Sequence, residues 1–260
     1  RSDIDYTYNG AVLLNSFQKG QNKLALKSAF SAANLSDFFC VLTSTEVAIH
    51  RAGFVDDYTK NIVLDIISDD GTLRDPLPFG IDDLTKVTLC LVKKKTPVTH
   101  KGLVIKNTNT DGTTLRGMNI KYEYASNITT EKSVIDQGSN GEFGSSFLIN
   151  NSFNLNFNSS WSKASRNGSK SLYNFQIANA GYCSFNKCGN ISVGPQGILR
   201  GIEGRHGYKT TVDDCLVNGV DDHWGYDITV KNCHLPLGVG ISGGSVTIEN
   251  VAANIIFNQR

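Results

Sequence analysis

The chain has no apolar run approaching the roughly 18 residues that a membrane-spanning helix requires. Neither sign of charge dominates: 25 lysines and arginines face 24 acidic residues. The one basic cluster, Lys93-Lys94-Lys95, reads as a solvated turn, so nucleic-acid binding lacks support, as does membrane insertion. The six cysteines (Cys40, Cys90, Cys183, Cys188, Cys215 and Cys233) form no CxxC pair and no cysteine–histidine cluster with structural-zinc spacing. They read as buried free thiols, which suits assembly in a reducing cytoplasm. No secretory leader is visible, and the opening on Arg1 rather than Met reads as an excised or processed segment.

What the sequence does contain is a short period. Gly207 to Cys215 aligns with Gly225 to Cys233, and that with Gly243 to Val251, each step being the interval from Cys215 to Cys233. A fixed period over successive copies signals a solenoid, in which residues one period apart become neighbours. Thr210, Ile228 and Val246 form one column; Val212, Val230 and Ile248 form a second, two positions on. Thr211, Thr229 and Thr247 lie between them, the pattern of a strand with one buried face. Cys215, Cys233 and Val251 continue inward, as do Val217, Leu235 and Ala253. Asp213, Lys231 and Glu249 read as an outward ion ladder, and Asp214, Asn232 and Asn250 as turn residues. A left-handed β-helix needs an aliphatic residue every six positions; Asn218 and Trp224 break that rule. The expected fold is therefore all-β: a right-handed, single-stranded parallel β-helix with coils of about 18–27 residues.

Upstream, Leu24, Ala25, Ala29 and Ala32 recur at helical spacing, with Asn22 and Asn34 as cap and stop. This predicts a capping helix over about 22–34, followed by a strand at Phe38 to Leu42. The expected organisation is a cap with first coils over 1–100 and the β-helix over 101–260. Gly102 to Asn107, Phe147 to Phe153 and Tyr182 to Cys188 resemble the coil unit. Inserted loops are expected at about 154–170, carrying Trp161, and at 189–203.

The 18-residue register stacks Glu203 under Asp221, Gly204 under Asp222, Arg205 under His223 and His206 under Trp224. It also stacks Tyr208 under Tyr226 and Lys209 under Asp227. Such a cluster suits sugar: aromatic faces stack on pyranose rings, charged groups bind hydroxyls or uronates, and paired carboxylates cleave glycosidic bonds. The candidate catalytic residues are Glu203, Asp221, Asp222, His206 and His223. The candidate substrate-binding residues are Arg205, Tyr208, Lys209, Trp224, Tyr226, Asp227 and Trp161. The same groups could support β-elimination from a uronate, with Tyr208, Tyr226, His206 or His223 as base and Arg205 neutralising the carboxylate. A purely structural reading is an aromatic stack with an ion pair on a solvated face. Asp221, Asp222, His223 and Asp227 lie too near a turn to fix a metal's geometry, and no metal or cofactor is expected.

The expected helix followed by a strand, the coil units ending in Asn-Cys or Asp-Cys, and the long polar loops resemble bacteriophage tailspikes of the pectate-lyase-like superfamily. The resemblance covers most of residues 10–255. The family's usual Gly-Asp-Gly-x-x-Asp-Asp opening is replaced by Gly20-Gln21-Asn22-Lys23. The resemblance implies a homotrimeric virion protein, assembled in the host cytoplasm, that degrades bacterial surface polysaccharide: capsule, O-antigen or exopolysaccharide. A carboxylate-pair hydrolase is the favoured reading; a lyase and a non-catalytic receptor-binding or structural module are the alternatives.

Overall fold

A computed structural model describes residues 4–26, 34–50, 58–106, 120–136, 144–163, 172–190, 201–254 and 256–259. The C-terminal part is the parallel β-helix that the period predicts. Paired positions along one face run Val98, Ile128, Leu155, and the next columns run Phe157, Phe185, Val212, Val230, Ile248. The steps are long as far as Val212, then short from Val212 to Val230 and from Val230 to Ile248. A second face stacks Val104–Lys106, Val134–Asp136 and Trp161–Lys163, then continues through Gly189, Leu216, His234 and Ala252. A third runs through Gly144–Asn158, Leu172–Gly181, Ile202–Tyr208, Gly219–Gly225 and Gly238–Gly243. Val104 thus pairs toward Val134 and Trp161, not toward Phe147 or Leu148.

Strand alternation points every second side chain inward. Phe147 stacks on Phe175 with ring centres 5.0 Å apart, and Phe157 on Phe185 at 5.2 Å. The two ladders meet edge to face, adding about 0.5–1.5 kcal/mol per pair beyond area burial. In the shorter coils Ile202, Val212, Val220 and Val230 replace the rings. Sharp corners connect the faces, built from single residues in the left-handed region. Tyr124, Asn151, Asn179, His206 and Trp224 mark one corner column, which Gly243 continues. Asn127, Asn154, Tyr182, Lys209 and Asp227 mark a second; Lys132, Ser159, Lys187, Asp214, Asn232 and Asn250 a third. The Asp214–Asn232–Asn250 column is therefore a turn column, as expected. Its amide ladder joins Asn250 to Asn232 at 2.9 Å and then crosses to Asp213 at 2.9 Å.

Two expectations fail. Residues 22–26 are not helical: Lys23 bridges Thr72, and Ala25–Leu26 pairs with Leu14–Ser16. Leu24 is buried among Leu13, Phe17 and Leu73, so tertiary packing overrides local helix propensity. The remainder of the expected helix, 27–33, lies outside the described residues. Residues 154–158 are strand, as is Trp161–Lys163, so the expected loop does not begin at 154; 164–170 lies outside the described residues. Most of the other expected loop, 191–200, also lies outside them, between strands Gly189–Asn190 and Ile202–Tyr208.

The N-terminal part is a separate antiparallel sheet in the order Ile4–Asn9, Val87–Lys93, Phe38–Ser44, Ile62–Asp65. Phe38–Ser44 is buried on both faces. Cys40 and Leu42 face the N-terminal core, while Phe39 and Val41 pack toward the β-helix with Phe153. That explains a continuous apolar run where a one-sided strand would alternate.

Candidate functional site

Register and alternation together sort the candidate residues. On the Ile202–Tyr208 and Gly219–Gly225 strands, Ile202 and Val220 point inward, so Glu203 and Asp221 point outward. Arg205 and His223 are the next outward pair. Neighbouring strands lie roughly 4.8 Å apart, which sets the scale of both separations. His223 Nε2 lies 3.2 Å from Asp221 Oδ2. Asp221 is half exposed, whereas Glu203 retains 8% of its surface.

Glu203 sits in a polar row that the 18-residue period does not reach. Gln176 is its partner one coil earlier and donates through Nε2 to Glu203 Oε2 at 3.3 Å. Ser145 Oγ in turn donates to Gln176 Oε1 at 2.8 Å, and Tyr173 also hydrogen-bonds Glu203. Burial pushes the Glu203 carboxyl above the ordinary value; Arg205 opposes the rise and Asp221 adds to it. Gln176 could have been found by stepping back from Glu203 by the interval that separates Phe185 from Val212.

Asp222 is not part of this face. It follows Ile149, Ile177 and Gly204 in an inward column and precedes Ile241. It is 3% exposed, with its carboxyl in a cradle of glycines. A Cβ on Gly204 or Gly207 would stand 2.2 Å from its Oδ2, and one on Gly225 would stand 2.9 Å from the carboxyl. Gly207 N donates to Oδ1 at 3.4 Å, and burial raises the carboxyl to about 7. Its inward direction was legible, because it stands two residues after Val220.

The remaining candidates divide by corner. His206 sits at a left-handed corner, φ 60°, facing Tyr58 and the Thr59 backbone; burial lowers its imidazole to about 4. Trp224, φ 68° in the same corner column, packs edge-on to Tyr226 at 5.4 Å. It borders a groove of about 830 Å³ shared with Ala48, Ile49 and Gly243 to Val246. Tyr208, Lys209 and Tyr226 instead join the β-helix to residues 75–79 of the N-terminal part, and Asp227 pairs with Lys209. Tyr208 is 1% exposed, and its Oη donates to the Pro76 carbonyl at 3.4 Å. Lys209 bridges Asp75 at 3.2 Å and Asp227 at 3.1 Å, and Tyr226 packs on Phe79 at 5.3 Å. These contacts give the four residues structural partners away from the Glu203–Asp221 pair. Burial also raises both phenols, Tyr226 to about 12, which keeps them protonated at neutral pH. Trp161 lies on the face that pairs with Val134 and Gly189, away from Glu203.

Sequence reasoning missed Tyr58 altogether. It arrives from the N-terminal part, stacks on His223 with ring centres 5.1 Å apart and planes 15° apart, and lies 5.9 Å from the Arg205 guanidinium. No periodicity relates residue 58 to residue 223. Among the described residues no group of three or more histidines, cysteines or carboxylates is placed to hold a metal ion. Asp222 points inward and Asp227 is engaged with Lys209, so those two do not converge with Asp221 and His223.

No family model matches the chain, and no curated protein matches it. Solved structures similar to it include phage tailspikes. One is the Gp54 tailspike of Acinetobacter baumannii bacteriophage AP22 in complex with A. baumannii capsular saccharide: 12% identity, TM-score 0.47, covering 96% of this chain and 46% of that one. Another is the tailspike protein gp49 from Pseudomonas phage LKA1: 10% identity, TM-score 0.35, covering 95% of this chain and 61% of that one. The chain thus spans about half the length of the first and three fifths of the second.

Proposed function

We propose that this chain is the polysaccharide-cleaving β-helix of a phage tailspike, acting on a bacterial surface glycan through Glu203 and Asp221. The observation that carries the proposal is their pairing on adjacent strands of one outward face, in unequal surroundings. Two carboxylates one strand apart meet the roughly 5 Å scale of a retaining glycosidase. Burial keeps Glu203 protonated to higher pH than an ordinary glutamate, as a general acid requires. Asp221, half exposed and beside the His223 imidazole, is the second carboxyl of the pair. Arg205, exposed on the same face, binds hydroxyls or a uronate. The assembled spike is a homotrimer in the virion tail.

A second reading has one observation in its favour: Arg205 and His223 are direct register partners. A cation beside an imidazole is what β-elimination from a uronate needs. Incubating the purified chain with polysaccharides from candidate hosts separates the readings. Shortened polymer with new reducing ends and no unsaturated product is the expected result. Shortening with the ultraviolet absorbance of an unsaturated uronate assigns a lyase. Intact polymer across a broad panel rejects cleavage and leaves a binding or structural module.

A further inference from the structure

We propose that Tyr58, supplied by the N-terminal part of the chain, is a positioning residue for the outward cluster, fixing the His223 imidazole beside Asp221 and steadying the Arg205 guanidinium. The proposal rests on reading Glu203, Asp221, Arg205 and His223 as the polysaccharide site.

Two of those four groups meet the Tyr58 ring directly. His223 lies nearly parallel to it, with ring centres 5.1 Å apart, and the Arg205 guanidinium lies 5.9 Å from its centre. An imidazole on the outer face of a strand would otherwise choose among its rotamers. Stacked on Tyr58, it presents Nε2 to Asp221 Oδ2 at 3.2 Å. Attraction between cation and ring face acts on the guanidinium, and on the imidazole whenever it is protonated. Tyr58 itself is 5% exposed, so it is not a platform for sugar.

The backbone brings a further ring to Tyr58. Tyr124, Asn151 and Asn179 precede His206 and Trp224 in this left-handed corner column, and Gly243 continues it. The His206 ring meets Tyr58 edge-on at 6.5 Å and hydrogen-bonds the Thr59 backbone. The His206 corner thus rests against Tyr58–Thr59. That strand is anchored from its other side as well. Val47–Ile49 pairs with it, Lys60 N donates to the Glu46 carbonyl at 3.0 Å, and Lys60 Nζ donates to the Gly80 carbonyl at 2.9 Å. Tyr58 is held by the N-terminal part and offered to the β-helix as a fixed wall.

The test compares Tyr58→Phe and Tyr58→Leu with the parent chain, reading the His223 ring protons by NMR (assigned with His223→Gln) and polymer cleavage at saturating and limiting substrate. The phenylalanine variant retains the ring-current displacement of His223 and the parent rate. The leucine variant loses the displacement, and kcat falls roughly tenfold to a hundredfold while KM changes by less than about twofold. An undisplaced His223 signal in the parent, or a signal unchanged by Tyr58→Leu, overturns the proposal. Equal losses in both variants assign the effect to the phenol hydroxyl and overturn it too. Should the leucine variant not fold, the parent signal compared with the denatured chain decides. If the parent cleaves no polymer while His223 responds as described, the enzymatic reading fails and the positioning by Tyr58 stands.

Discussion

Asp222 carries the sharpest residue-scale consequence. A carboxyl raised from 3.8 to about 7 is disfavoured in its charged form by the fold. The unfolded chain releases that proton first, so stability is lost as pH rises from about 4 to about 7, by on the order of 4 kcal/mol. His206, lowered from 6.5 to about 4, acts in the opposite direction: stability is lost as pH falls from 6.5 toward 4. The two slopes oppose each other over most of that interval. Asp222→Asn keeps the shape and removes the charge. The variant unfolds at a higher temperature than the parent at pH 7.5, and its melting temperature rises from pH 4 to 6.5 as the His206 slope is uncovered. Lower stability than the parent at pH 7.5 would show that the ionised carboxyl is favourable in the glycine cradle. Glu203 makes a kinetic prediction of the same kind. Its raised carboxyl places the alkaline limb of kcat/KM above the range of an ordinary glutamate, with activity falling as pH rises through it. Arg205→Gln removes the cation that opposes the rise and shifts that limb further upward; a downward shift would speak against Glu203 as the acid.

Among the elements, the seam between the N-terminal sheet and the β-helix explains residues that looked like chemistry. Tyr182 donates to Asp75 at 2.7 Å, Lys209 bridges Asp75 and Asp227, and Phe39 stacks on Phe153 at 5.4 Å. The apolar part dominates. Phe153→Ala costs roughly 3–5 kcal/mol in chemical denaturation and speeds amide exchange in Phe38–Ser44. Lys209→Ala, whose ion pairs are about one-third exposed, costs less than about 1 kcal/mol. The reverse ranking would mean that charge holds the seam. Sequence pattern could not reveal this seam, because its residues are far apart in the chain and share no period. Nor could it place Leu24: its apolar side chain fits a helical stripe and an edge strand equally well, and only the neighbouring Leu13, Phe17 and Leu73 decide.

At the scale of the whole molecule, the coils shorten along the axis, from the long step between Val98 and Ile128 to the short one between Val230 and Ile248. The short coils carry their period openly, which is why Glu203–Asp221 and Arg205–His223 were legible as neighbours. The long coils conceal theirs: each carries extra residues between the second and third faces, where 107–119, 137–143, 164–171 and 191–200 fall. Stacking was therefore readable directly over the last coils, whereas reaching Gln176, one long coil earlier, requires the longer Phe185–Val212 interval instead of the short period. Facing was readable from strand alternation, and it separates Asp222 from Asp221. What no pattern held was Tyr58, which the fold brings from outside the β-helix. Cleavage of a polysaccharide by Glu203 and Asp221 is best tested on the polymer itself. The quantity to follow is the chain length of a host surface polysaccharide after incubation with the parent, Glu203→Gln and Asp221→Asn, each verified as folded by its melting transition. Shortening by the parent is expected, with loss of at least about a thousandfold in rate in each variant. Parent-like shortening by both variants would refute the pairing.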